Sequence, residues 1–140
     1  MLDFRKELSK LSLDETNSIV INSGILNALG IRESHDIDIS VNEEVFEKLK
    51  SNKNLNLITN EFGRPMLVND TVDISLGWVQ NSNLSFIYED LLKDNCTIVI
   101  DGVRYLNLET LLEGKKLWGR EKDKEDVKLI ERYLKKNREL

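Results

Sequence analysis

Asp36 and Asp38, in the stretch Asp36-Ile37-Asp38, are the residues in this chain best suited to do chemistry. In an extended strand, residues two apart share a face, so both carboxylates project the same way. Two like charges that close repel each other, and burying them unpaired costs several kcal/mol. A hard cation resolves the conflict. Magnesium takes oxygen ligands, typically one or two carboxylates plus phosphate oxygens of a substrate. The plainer alternative is an acidic strand face turned to solvent, common in antiparallel sheets. An EF-hand loop does not fit, because Ser40 and Val41 stand where its register needs other residues.

Other reactive residue types are scarce. His35 is the only histidine, which excludes a histidine metal cluster or a catalytic triad, and it reads as a turn residue. Cys96, the only cysteine, lies beside an apolar strand and reads as a small buried hydrophobe; no disulfide framework or cysteine-rich zinc module is possible. Trp78 and Trp118 are core candidates first and nucleobase platforms second. No Gly-x-x-x-x-Gly-Lys loop is present, so a P-loop NTPase is excluded. An Asp-x-Asp-x-Thr start of the haloacid-dehalogenase kind is similar in outline, but nothing else of that fold is visible.

The elements that must position these groups are legible in outline. Residues 2–11 place Phe4, Leu8 and Leu11 at helical spacing. Ile19-Val20-Ile21 reads as a buried strand entering Asn22-Ser23-Gly24, and a short helix ends at Gly30. Ile37, Ile39 and Val41 alternate with Asp36, Asp38 and Ser40, a strand with one apolar and one polar face. Asn42 caps a helix running through Lys50, with Glu43 and Glu44 where the helix dipole favours acids. Strands are predicted over 55–59, 65–68 and 72–76, and a helix over 86–92. Asp101-Gly102 between two β-rich runs calls for a type I′ hairpin turn. Asn107 caps a helix over 108–118 that Gly119 ends. From Asp123, an N-cap by type, Val127, Ile130 and Leu134 keep helical spacing to the C-terminus. The fold class is α/β or α+β, one domain over residues 1–140, with a central mixed sheet, flanking helices and a C-terminal helical pair.

The chain's 140 residues suit a single core. Lys+Arg 20 against Asp+Glu 25 gives a net charge of -5, which argues against indiscriminate binding of nucleic acid or anionic membranes. No apolar run approaches a membrane span, and the first residues carry charges where a signal peptide needs an apolar stretch. The expected location is the cytoplasm.

Two blocks of sequence carry a family resemblance. Residues 19–41, IVINSGILNALGIRESHDIDISV, resemble the core motif of the nucleotidyltransferase superfamily: a strand, a Gly-Ser turn opening a short helix, then an acidic Asp-x-Asp strand. Residues 106–134, LNLETLLEGKKLWGREKDKEDVKLIERYL, look like the tail of its small members related to toxin–antitoxin and abortive-infection nucleotidyltransferases. The resemblance implies a nucleotidyltransferase-like fold and an enzyme holding two magnesium ions. Such an enzyme moves a nucleoside monophosphate from an NTP such as ATP to a hydroxyl of a protein, a tRNA or a small molecule.

Asp36 and Asp38 map onto metal ligands, and Ser23 and Gly24 onto the phosphate-holding turn. A third carboxylate is expected on a neighbouring strand. Asp73 is the choice, with Val72 and Ile74 facing away from it, and Asp70 is left as a turn residue. In the resembling proteins a lysine in the first C-terminal helix faces the nucleotide. Lys115 and Lys116 are about 100° apart on a helix, so at most one points inward, and Lys115 is favoured. Arg32 either reaches a phosphate or pairs with Asp36; Lys116, Arg120 and Lys122 also read as a solvated face. Asn22 stands where the family has glycine, a departure that bears on catalysis more than on fold, since asparagine tolerates left-handed backbone. It motivates the alternative of an inactive nucleotidyltransferase-fold module, for example an antitoxin-type partner subunit. A purely structural protein is the third reading.

Overall fold

In the computed structural model, which describes residues 2–81, 84–93 and 95–138, helices and strands are interleaved along the chain. Helix α1 (Phe4–Ser9) precedes strand β1 (Ile19–Val20), the short α2 (Gly24–Ala28), β2 (Ile37–Val41) and α3 (Glu43–Leu49). Strands β3 (Asn56–Thr59), β4 (Pro65–Val68) and β5 (Val72–Leu76) follow. Then come β6 (Trp78–Asn81), β7 (Leu84–Phe86), α4 (Tyr88–Lys93), β8 (Thr97–Ile100) and β9 (Val103–Leu106). The last elements are α5 (Leu108–Trp118) and α6 (Glu121–Arg138); residues 139–140, predicted to continue the final helix, lie outside the described residues.

Local chemistry sets many of these boundaries. The Asn42 and Asn107 side chains each accept a backbone N–H three residues on, from Val45 and Thr110, and so start α3 and α5. Gly119 ends α5 in the left-handed conformation at φ 63°. Asp101 and Gly102 both have positive φ, 51° and 77°, as a type I′ turn between β8 and β9 requires. Asp123 differs from its expected role. It lies inside the first turn of α6, and its carboxylate reaches back to the N–H of Arg120, as the third residue of a capping box does.

Among the described residues, seven strands form one mixed sheet in the order β3-β4-β5-β2-β1-β9-β8, and β6 and β7 pair separately. The β6–β7 pair has no counterpart in the sequence reading. At the centre, β2 runs parallel to β5 and antiparallel to β1. Parallel registry sets Asp38 beside Asp73, Ile37 beside Val72 and Ile39 beside Ile74. The apolar partners face the larger core, which takes in Phe4, Leu26, Phe46, Leu111 and Ile130 from the helices. A smaller core of Ile19, Ile21, Trp78, Tyr88, Leu91 and Leu106 covers the other face near β1. The polar side of β2 is therefore not a solvent face: Ser40 is fully buried, and only the end that carries Asp38 opens outward.

Candidate metal centre

Three carboxylates meet where β1 ends and the parallel strands β2 and β5 begin. Asp38 and Asp73 are lateral partners on neighbouring parallel strands, so their side chains leave the same face at the same level. Asp36 sits two residues before Asp38, just ahead of the strand, and is exposed. One carboxylate oxygen from each of Asp36, Asp38 and Asp73 lies within 4.8 Å of the others. The backbone fixes the frame: Ile21 N–H donates to the Asp38 carbonyl and Ile37 N–H to the Thr71 carbonyl, both at 2.8 Å.

The electrostatics record the crowding. Burial pushes the Asp38 carboxyl up to about 6; the charges of Asp36 and Asp73 add to the rise, and a hydrogen bond from Asn22 opposes it. Asp73 is raised too, first by burial and then by the charge of Asp36. An all-oxygen, anionic donor set that resists full ionisation alone matches a small hard dication. Magnesium fits this chemistry.

The trio lines a cleft of about 720 Å³. The β3–β4 turn, with Phe62 and Arg64, borders the same cleft, as does the junction of α5 and α6 with Lys115, Trp118, Arg120 and Lys122. Lys115, of the two adjacent lysines, is the inward one: it is 4% exposed, whereas Lys116 is exposed. Its Nζ lies 2.8 Å from Asp126 and 3.3 Å from Asp123. Arg32 does not pair with Asp36. Its Nε and Nη2 donate to the two oxygens of Asp126 at 2.7 and 2.8 Å, a bidentate grip that a carboxylate on α6 offers and exposed Asp36 does not. Asp36 acts on Arg32 through its charge alone. Asp126 is half of a network the sequence reading missed. The signal was the second Asp of the tail block, whose partner lies 94 residues away. Burial works against the Asp126 charge, but hydrogen bonds from Arg32 and Lys115 hold its carboxyl below the usual range.

Ser23 and Gly24 begin α2 on the cleft wall, and the Ser23 hydroxyl lies 3.5 Å from Asp126. Packing alone demands the glycine. A Cβ at position 24 would stand 2.2 Å from Cγ1 of Val20 and 3.1 Å from the Phe4 ring. Val20 is buried and stiff about χ1 and cannot swing away. Gly24→Ala is expected to cost about 1–3 kcal/mol, read as a lower thermal midpoint without any ligand. A glycine kept only for phosphate approach would leave that midpoint unchanged.

Asn22 adopts φ 57°, the left-handed backbone its type tolerates. Its Nδ2 donates to Asp38 Oδ2 and its Oδ1 accepts from the Trp78 indole, each at 3.1 Å. Trp78 is buried, stacked on Phe86 and edge-on to Trp118. Trp118 lines the cleft, with the Arg120 guanidinium 5.1 Å from its ring centroid. His35 is exposed at the cleft rim, and Cys96 is half-buried against the smaller core. No family model matches the chain, and neither does any curated protein or solved structure. Among the described residues, no helix is long and apolar enough to cross a membrane.

Proposed function

We propose that this chain is a magnesium-dependent nucleotidyltransferase with a nucleotidyltransferase-like fold. It transfers a nucleoside monophosphate from an NTP to a hydroxyl acceptor. The observation that carries this reading is the convergence of Asp36, Asp38 and Asp73 within 4.8 Å, on a cleft also lined by cationic and aromatic side chains. In the transfer, a bond forms from the acceptor oxygen to the α-phosphorus, the bond to the bridging oxygen breaks, and pyrophosphate leaves. Bound to the three carboxylates, magnesium would supply charge neutralisation for the attacking and leaving oxygens.

The chain's own groups have the remaining tasks. Asp73, held above the usual carboxylate range by burial, is placed to accept the proton of the acceptor hydroxyl. Lys115 has three N–H donors and spends two on Asp123 and Asp126, so one remains for a phosphate oxygen. Arg32 keeps N–H groups beyond the two that Asp126 engages. Ser23 and Gly24, at the start of α2, line the same cleft. Asn22 at φ 57° gives the backbone that a glycine would give, so the departure from Gly-Ser does not itself weigh against catalysis.

Calorimetry with ATP, GTP, CTP and UTP in magnesium buffer tests binding. Incubation with α-labelled NTPs and cell extract tests transfer. One nucleotide is expected to bind and to leave its label on a protein, a tRNA or a small hydroxylated molecule. Heat without transfer would indicate an inactive binding module, and no heat with any NTP would overturn the nucleotide reading altogether.

A further inference from the structure

The geometry points to Asn22 as a positioning residue that clamps Asp38 for cation binding, with its own orientation set by the Trp78 indole. The inference rests on the cation reading of the acidic trio and adds a residue to which the resemblance gives no such task. The indole nitrogen is a donor only, and a carboxylate is an acceptor only. An asparagine between them therefore has one good orientation: Oδ1 toward Trp78 Nε1 and Nδ2 toward Asp38 Oδ2, as found at 3.1 Å on both sides. A flipped amide would set two donors together at one end and two acceptors at the other.

Trp78 is itself held fast, 2% exposed and wedged between Phe86 and Trp118. Rigidity thus passes from the smaller core through the indole and the amide to one oxygen of Asp38. With Oδ2 tied, the carboxylate cannot rotate freely, and Asp38 would be held in one orientation for a cation bound by the trio. Partners of this kind, one bond behind a metal ligand, set ligand orientation and typically change affinity about 10–100-fold when removed. The left-handed backbone at Asn22 explains why the residue is not simply a larger polar one: asparagine combines that conformation with an amide of the right reach.

Asn22→Gly separates backbone from side chain, since glycine keeps the positive φ and loses the amide. Trp78→Phe is the second arm: it retains an aromatic ring in the core and removes the indole donor together with part of the ring volume, whose packing cost the melting curves in EDTA report separately. Manganese serves as the probe, its free fraction read by EPR on the 140-residue chain, beside melting curves in EDTA. The expected result is a manganese dissociation constant about tenfold or more weaker in Asn22→Gly, with a smaller loss in Trp78→Phe. A lower melting point in Asn22→Gly with manganese affinity within twofold of the parent would reduce Asn22 to a structural residue and overturn the inference. If Asn22→Gly does not melt cooperatively, Trp78→Phe decides, and unchanged affinity there overturns it equally. A parent protein that binds no manganese would instead strike at the cation reading itself and remove the ground of the clamp with it.

Discussion

Asp38→Asn is expected to abolish nucleotidyl transfer and, in the same protein, to raise the melting temperature of the metal-free fold. The two effects share one cause. Asp38 is held in a site that disfavours its charge, with its carboxyl pushed from 3.8 to about 6 by burial, the adjacent carboxylates adding to the rise. A group whose folded-state pKa is raised adds stability below its unfolded value, and that stability is lost as pH rises through the folded value. Above pH 6 the ionised form costs the fold on the order of 3 kcal/mol. An amide removes that cost and still accepts the bond from Asn22. In EDTA at pH 8, a rise of roughly 6–12 °C is expected for a domain of this size, shrinking toward nothing as pH falls below the unfolded value of 3.8, where Asp38 becomes protonated in both states.

Magnesium should narrow the gap. The parent gains stability by binding the ion, whereas the variant has lost a ligand. Activity should fall by at least about 10²–10³-fold, the scale on which removing one fixed charge-stabilising group acts. Calorimetric melts with and without magnesium, set beside transfer assays, check both halves. A variant that melts lower than its parent in EDTA would show that Asp38 is an ordinary stabilising residue. A variant that transfers at the parental rate would end the enzymatic reading.

What was legible in the sequence was whatever is decided within a few residues. The type I′ turn at Asp101-Gly102 needs only two residues that accept positive φ. The caps Asn42 and Asn107 act on N–H groups three residues on. The two-residue spacing of Asp36 and Asp38 points to one site, and both join the trio, Asp36 from a bend just ahead of β2. The inward choice of Lys115 over Lys116 comes from helical geometry together with the tail resemblance.

Other features depend on pairings across the fold, and for those the local signal was silent or misleading. Asp73 reaches Asp38 only because β5 pairs in parallel with β2, a register that no local pattern encodes. Ser40 looked like part of a polar face, yet β6, β7 and α4 bring a second core over that side of the sheet. Asp123 has the residue type of a cap and sits two turns past Lys115 in sequence, so its burial against that lysine appears only when α5 and α6 pack together. Arg32 and Asp126 are separated by most of the chain.

That last pair leads to a prediction of comparable size. Arg32, Lys115 and Arg120 face Asp123 and Asp126, three cations on two anions, with both carboxylates and the lysine nearly or wholly buried. Breaking a buried network by removing one member is costly because the others stay buried and underpaired, about 3–5 kcal/mol where a charge is stranded. Asp123 and Asp126 each hold two cations, but both partners of Asp126, Arg32 and Lys115, come from other parts of the fold, whereas Arg120 lies only three residues before Asp123. Asp126→Ala is expected to cost about 3 kcal/mol, a fall in melting temperature of roughly 6–12 °C. Lys115→Met should cost less. Each carboxylate then keeps an arginine, Asp126 with Arg32 and Asp123 with Arg120.

The sign with pH is opposite to that at Asp38. Hydrogen bonds from Arg32 and Lys115 hold Asp126 below the usual carboxylate range against the opposing effect of burial. Its contribution is therefore present above the unfolded value and lost as pH falls through the folded one. The deficit of Asp126→Ala should be full at pH 7 and fade in strong acid, whereas the gain of Asp38→Asn should grow from pH 4 to pH 8. Melting curves of both variants, carried from pH 8 into acid well below the usual carboxylate range, separate the two clusters. A deficit for Asp126→Ala that stays constant down to the lowest pH would mean that its side chain matters by packing and not by charge. Nucleotide titrations of Lys115→Met complete the test: its manganese affinity should match the parent's while NTP binding weakens, because the lysine belongs to the cationic wall and not to the acidic trio.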